Sequence, residues 1–289
     1  MSDVTVRRVE GLGPPIAGPT ALGNDPRRLL RLTWALAVTD WRLRFFGSAL
    51  GYLWSFVQPL MLFGVLYIVF SVLLNFSGDE RFYPVALLLG IIMYSFLNEA
   101  TGGAVRSLVN RENLVRKIEF PRLAVPMSTV LTACFNLGLN LVPVTIFLIA
   151  SGGEPRWTWL EMPLIFAVLI AWAAGIAMLL SALFVRYRDV EPIWTVLMQI
   201  VFYATPIFYT VQLVIDKAGK GWATALMCNP FAAALQQARH ALIDPSHLDA
   251  AQAAGSTAIL IVPVAIVVLD FAGGYAVFRR QAPLIAEQL

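Results

Sequence analysis

Charge is what this sequence has least of. Only 13% of its 289 residues are Asp, Glu, Lys or Arg, about half the share that a water-soluble domain carries. Long uncharged apolar blocks recur, and the mean hydropathy is +0.72. That combination describes a polytopic helical membrane protein. Cysteine is scarce as well: Cys134 and Cys228 are isolated and fit neither a disulfide framework nor a thiolate metal site. His240 and His247 have no partner cluster and fall on an expected non-cytoplasmic helix and its end. No G-x-x-x-x-G-K-[ST] motif occurs, and G-K-G at 219–221 lacks the spacing. Neither H-E-x-x-H nor G-x-S-x-G is present. No catalytic residue, metal ligand or cofactor of this chain's own is therefore expected. Uphill movement of a solute would draw its ATP from a partner. Inside the expected spans, away from their end residues, only Glu99 and Asp270 are charged, both toward the cytoplasmic end. An ion-coupled carrier would need charge deeper in the bilayer, and inverted repeats are not evident.

Residues 1–24 are polar and rich in Gly and Pro, and a disordered tail is expected there. Arg7 and Arg8 are not followed by an apolar core and a small-residue cleavage site, so no cleaved leader is expected. Asp25-Pro26 then reads as a helix start, an N-cap followed by proline in the first turn. Over 26–46, Arg27, Arg31 and Arg42 share one helical sector with Arg28 beside it, while Leu29, Leu32, Leu36 and Leu43 share another. A basic stripe beside Leu and Trp faces predicts a helix lying in the anionic membrane interface.

Six apolar spans follow, near 50–74, 83–106, 123–150, 161–184, 192–210 and 256–278. Each has the roughly 20 residues that a bilayer requires. Placing both termini in the cytoplasm puts sixteen of the 21 lysines and arginines on that side. Arg81, Arg156, Lys217, Lys220 and Arg239 are left outside, so the positive-inside rule favours this orientation.

Two polar stretches interrupt the apolar pattern. Over 109–126, Arg111, Glu112, Arg116, Lys117, Glu119 and Arg122 crowd together, too many charges to remain in hydrocarbon. Leu114 and Ile118 fall at i, i+4, and Pro121 would end a short amphipathic helix that carries them. Such a helix at the membrane surface suits docking to another protein; an ordinary solvated loop fits the composition equally. The second stretch, 211–255, is too polar to span and too apolar to be a free loop. Asn229-Pro230 opens a helix with Phe231, Leu235, Ala238 and Leu242 on one face, and Asp244-Pro245 closes it. Together with a shorter apolar piece around Trp222, it reads as helices dipping into the outer leaflet; a folded external hairpin is the alternative.

Aromatic surface is what the spans do offer. Trp54, Phe56, Phe63, Tyr67 and Phe70 lie on the first span, and Trp194, Phe202, Tyr203, Phe208 and Tyr209 on the fifth. Gln199, Thr205 and Pro206 add polarity and a kink to the fifth, which suits the wall of a path. Aromatic faces stack on sugar rings, but Trp and Tyr also anchor helices at the interface and Phe fills lipid-facing surface.

Four stretches in order resemble the ABC-2 type permeases, and among them the polysaccharide-exporting branch of O-antigen, teichoic acid, capsule and galactan exporters. They are D-W-R-L-R-F-F-G-S-A-L-G-Y-L-W-S-F-V-Q-P at 40–59, F-P-R-L-A-V-P at 120–126, R-Y-R-D-V at 186–190 with A-T-P-I-F-Y at 204–209, and N-P-F-A-A-A-L-Q-Q-A-R-H-A-L at 229–242. The likeness covers roughly 26–280. Phe45 follows Arg44 where the family often has Tyr. The resemblance implies an all-α membrane domain over 25–289 in the bacterial cytoplasmic membrane, surrounded by its lipids and without nucleic-acid partners. It implies a homodimer joined to two copies of a separate ATPase that binds ATP and Mg.

In that family pattern the helix at 110–120 is a coupling helix, with Asn110, Arg111, Glu112, Asn113, Leu114, Arg116 and Lys117 facing the ATPase. The turn bearing Arg186, Arg188 and Asp189 sits near it. Trp54, Phe56, Trp194, Gln199, Phe202, Tyr203 and Tyr209 would line the path of a lipid-linked glycan. Helices within 211–250, through Trp222, Asn229, Phe231 and Leu235, would gate its outer mouth. Two other readings are open: an ABC-2 permease exporting a small hydrophobic drug or lipid, and a membrane enzyme acting on lipid-linked sugars. For the enzyme only the scattered Glu99, Asp270 and Glu161 are on offer.

Overall fold

The structure is a computed structural model that describes residues 25–46, 51–74, 82–116, 120–245 and 247–285. The expected tail over 1–24, Arg81 and residues 117–119, Lys117 among them, lie outside these. The described elements are all helical, and the chain is an all-α, multi-pass membrane protein.

The first helix, α1 (Pro26–Phe45), starts where the sequence signals it. The Asp25 carboxylate accepts from the Arg27 amide at 2.8 Å, and Pro26 sits in the first turn. Its small residues Thr33 and Ala37 are buried while its arginines stay exposed. The partner is α6 (Ala124–Ala150). Thr132 donates to the Ala37 carbonyl at 3.3 Å, and the Trp41 indole donates to Asn136 Oδ1 at 3.0 Å. The Phe135 ring meets Trp34 and Trp41 edge-on at 5.4 and 6.0 Å. Because both members of these hydrogen-bonded pairs advance together, α1 runs parallel to the first half of α6.

Among the described residues, five helices are long and apolar enough to cross a membrane. The first joins α2 (Trp54–Leu66) to a π-helical continuation, Tyr67–Leu73. The second is α3 (Tyr83–Val105), buried along most of its length at the centre of the bundle between α6 and α7. The third is α6. The fourth is α7 (Met162–Arg186), entered through the 3-10 turn Trp157–Glu161. The last is α13 (Ile261–Gln281), entered through the turn Thr257–Leu260. α7 and α13 approach so closely that a Cβ on Gly274 would lie 2.2 Å from the Gly175 carbonyl oxygen. Small residues that let backbones touch are the usual basis of helix contact in lipid.

The stretch expected as a fifth span at 192–210 forms a shorter helix. α8 (Val190–Ala204) has 15 residues, about 22 Å at 1.5 Å per residue, where the hydrocarbon core measures about 30 Å. Pro206 is the cause: the residue before a proline is pushed out of the α region, and Thr205 adopts φ −98°, ψ 151°. Thr205, Ile207 and Phe208 are nonetheless buried.

The single helix expected at 110–120 is broken in two. α4 (Ser107–Asn110) and α5 (Glu112–Val115) are joined by Arg111 at φ −120°, ψ 30°. Arg111 turns inward, pairing with Asp40 of α1 and donating to Ser128 Oγ at 3.5 Å. α9 (Val211–Ala218) and α10 (Lys220–Met227) meet at Gly219, whose φ of +91° suits glycine alone. α11 (Pro230–Leu242) and α12 (Ala250–Ala254) complete the segment that leads to α13.

Candidate functional site

Three places gather the residues singled out from sequence. The first is the end of the bundle that carries α4, α5 and the turn between α7 and α8. Val109 of α4 packs against a small cluster with Phe184, Val190 and Trp194. Arg106 Nε donates to Glu191 Oε2 at 2.5 Å, so the two loops are tied by charge as well. Asn110, Asn113, Arg116, Arg186, Arg188 and Asp189 are all exposed at this end. The Arg186 and Arg188 guanidiniums lie over the Tyr187 and Phe184 rings at 5.2 and 4.9 Å. Glu112 pairs with Arg116 at 2.6 Å along one helical turn.

Two members of this group depart from the expected surface role. Leu114 is half-buried against the chain's own inner cluster, beside the fully buried Leu108 and Val115. Arg111 is held inward by Asp40, as described above. The cause is the break at Arg111, which rotates the apolar side of α5 toward α6. Arg122, read as one more loop charge, is 1% exposed. Its Nε donates to the Val115 carbonyl at 3.4 Å, which fastens the end of α5. Burial pushes its pKa below the ordinary arginine value.

The second place is the Ala204 end of α8. Phe208 stacks on Phe70 of the first span at 4.4 Å, joining the first and fifth apolar stretches. Phe202, Tyr203 and Tyr209 surround it with ring distances of 5.2 to 6.2 Å, and Tyr94 meets Phe202 at 4.8 Å. The expected path residues separate into two groups. Trp54, Gln199 and Tyr203 are exposed, and Phe56 is half-buried. Trp194, Phe202 and Tyr209 pack against the central core instead. Trp194 donates to Thr101 Oγ1 at 3.0 Å, and Tyr209 donates to the Ala204 carbonyl at 3.1 Å.

The third place is α11, which is no loose flap. Ten of its 13 residues are buried, Phe231 and Leu235 completely. Asn229 caps it by accepting from the Phe231 amide at 2.9 Å, and Trp222 on α10 stays exposed. The last carbonyls of α11, which no helical amide can reach, are met from the start of the fourth span. Thr158 donates to the Ala241 carbonyl at 2.6 Å and the Trp159 indole to that of Leu242 at 3.0 Å. Of the four expected gate residues, Trp222 is exposed, Asn229 is half-buried, and Phe231 and Leu235 are buried.

Arg239 is the residue whose structural role sequence reasoning missed. Counted among the external charges, it lies buried on α11 and donates through Nη2 to the Ile207 carbonyl at 2.8 Å. Nη1 reaches the Tyr209 carbonyl at 3.5 Å, and the Tyr83 hydroxyl donates to that of Phe208 at 2.7 Å. The signal lay in A-T-P: a helix broken by proline inside a membrane needs donors from elsewhere, and arginine supplies several in one plane.

The sequence profile of the ABC-2 type transporters matches residues 31–243. The chain is 26% identical over 192 residues to the O-antigen export system permease protein RfbA of Myxococcus xanthus, covering 66% of this chain and 73% of that one. An O-antigen export system permease protein RfbA of Klebsiella pneumoniae is 26% identical over 179 residues, 62% of this chain and 68% of the relative. The polysialic acid transport protein KpsM of Escherichia coli is 21% identical over 214 residues, 72% and 80% of the two chains.

Proposed function

The chain belongs to the ABC-2 type transporter family, and on that premise we propose that it is the membrane subunit of an ATP-driven exporter of lipid-linked polysaccharide. The observation that carries this reading is its likeness to permeases named for O-antigen export and polysialic acid transport. The cargo is a lipid-linked glycan of the O-antigen, teichoic acid or galactan type, and the membrane is the bacterial cytoplasmic membrane, with both termini inside. Two copies of the chain join two copies of a separate ATPase, which binds the ATP and Mg. The exposure of Asn110, Asn113, Arg116, Arg186 and Arg188 supports docking of that subunit. Two apolar helices with little of their own to pack on support the paired arrangement. α2 and its continuation bury no residue, and α8 buries only Met198.

The mechanism follows from how these parts are tied together. ATP closes the two ATPase subunits and draws the two α4–α5 segments toward each other. Arg106–Glu191 and the Val109–Phe184–Val190 contact pass that movement to the start of α8. α2 and α8 of the two copies then part, and the exposed Trp54, Gln199 and Tyr203 offer stacking and polar contact to successive sugar rings. α11 stays wedged against α7, so the outer opening forms at α9 and α10, where Trp222 is exposed.

The test is to copurify the chain with the ATPase encoded beside it and to follow ATP hydrolysis and glycan entry into inverted vesicles. A stable complex that hydrolyses ATP faster with one lipid-linked glycan, and moves it, is the expected result. Failure to bind any ATPase would overturn the reading.

A further inference from the structure

A partly open cavity of about 710 Å³, distinct from the aromatic cluster, lies between α1, α2, α3 and α6. Polar side chains reach it from three helices: Ser55 and Gln58 of α2, Asn98 and Glu99 of α3, and Asn136 and Asn140 of α6. Helices that only had to pack in lipid would not bring so many amides together, since each must find a partner there.

The charges in this cavity cancel. Arg44 at the end of α1 pairs with Glu99, and Asn136 Nδ2 donates to the same carboxylate oxygen at 2.7 Å. What remains is a set of hydroxyls and carboxamides, which both donate and accept. Two of them are shielded and lack a partner among the described residues: Ser55 Oγ and Asn140 Oδ1. Trp54 completes the lining with its side chain half exposed.

Neutral amides, hydroxyls and one indole match the surface of a sugar ring, whose hydroxyls take the amides and whose C–H face takes the indole. Because Arg44 and Glu99 neutralise each other, the cavity offers an acidic sugar or a phosphate no unopposed charge to bind. The volume falls in the range of small-molecule pockets, enough for a few rings and too small for a polymer.

We propose that this cavity is a subsite for an uncharged saccharide of one to three rings, read by Gln58, Asn98, Asn140 and Trp54. The proposal rests on the exporter reading above and adds to it that the sugars held between α1, α2, α3 and α6 are neutral.

The test uses the permease–ATPase complex in lipid nanodiscs. The probes are short polyprenyl pyrophosphates carrying a neutral trisaccharide (mannose, galactose or rhamnose), an acidic one (uronate or sialate), or no sugar. At least one neutral probe should bind tenfold or more tighter than both the acidic and the sugar-free lipid. Gln58→Ala with Asn98→Ala should remove that advantage. Glu99→Gln, which leaves Arg44 unopposed, should shift the preference at least threefold toward the acidic probes, a change that a merely structural role would not produce. Equal binding of neutral and acidic probes, or wild-type selectivity in the double variant, would overturn the subsite while export by the complex still upholds the exporter reading. A chain that neither assembles with an ATPase nor exports any glycan would bring down both.

Discussion

Arg239 on α11 donates to the carbonyl of Ile207, 2.8 Å away and 32 positions earlier in the chain. This contact lets a helix stop short inside the membrane. Pro206 ends α8, the following carbonyls lose their helical amides, and lipid has nothing to offer them. One buried guanidinium on a neighbouring helix takes that place, and Tyr83 assists at Phe208.

Replacing Arg239 with Met should therefore cost about 2–4 kcal/mol, the range for leaving buried acceptors without a charged donor. Arg239→Lys, with one ammonium in place of a planar fork, should lose less than the Met variant. Thermal unfolding in detergent measures both. A Met variant as stable as wild type would mean that the carbonyls of Ile207 and Tyr209 do not depend on this side chain.

The α7–α13 contact makes a sharper prediction. Gly274→Ala places a methyl 2.2 Å from the Gly175 carbonyl oxygen, whereas Gly273→Ala meets nothing within 4 Å. The first should destabilise by about 1–3 kcal/mol through overpacking, and the second should be within about 0.5 kcal/mol of wild type. The same unfolding assay compares them.

The aromatic cluster separates surface from scaffold. Tyr203 is 66% exposed, while Phe202 packs among Tyr94, Tyr203 and Phe208. Tyr203→Ala should slow glycan entry into vesicles severalfold with stability unchanged. Phe202→Ala should lose roughly 2 kcal/mol of stability, since it removes packing and ring contacts together. Equal flux in wild type and Tyr203→Ala would remove Tyr203 from the path.

At the α4–α5 end, Asn113 is the better probe of the proposed docking than Leu114. Leu114→Asp would bury a charge against Leu108 and Val115 and weaken the fold itself. Asn113 is exposed, so Asn113→Trp should keep the melting temperature while reducing both ATPase copurification and export. Normal copurification by this variant would place the docking surface elsewhere.

Much of the membrane architecture was legible in the chain. Long runs without charge place helices at 54–73, 83–105, 124–150, 157–186 and 257–281 because hydrocarbon tolerates little else, and Asp25 and Asn229 mark helix starts through their caps. The two interrupted stretches were legible only as interruptions. That α8 stops at Ala204 follows from Pro206, but its surviving as buried irregular backbone depends on Arg239, and no local pattern joins those two positions. That 107–115 breaks at Arg111 depends on Asp40, 71 positions away.

By itself the sequence determined which segments enter the membrane, where most helices begin and end, and the side on which positive charge collects, because hydrophobicity, proline and caps act within a few residues of one another. Only the tertiary structure decided which polar groups leave the surface. Arg239, Arg122 and Asn136 are ordinary polar residues in a one-dimensional reading. They become a helix-break cap, an anchor for α5 and part of a charge-neutral cavity because distant helices bring to each a partner that lipid cannot provide.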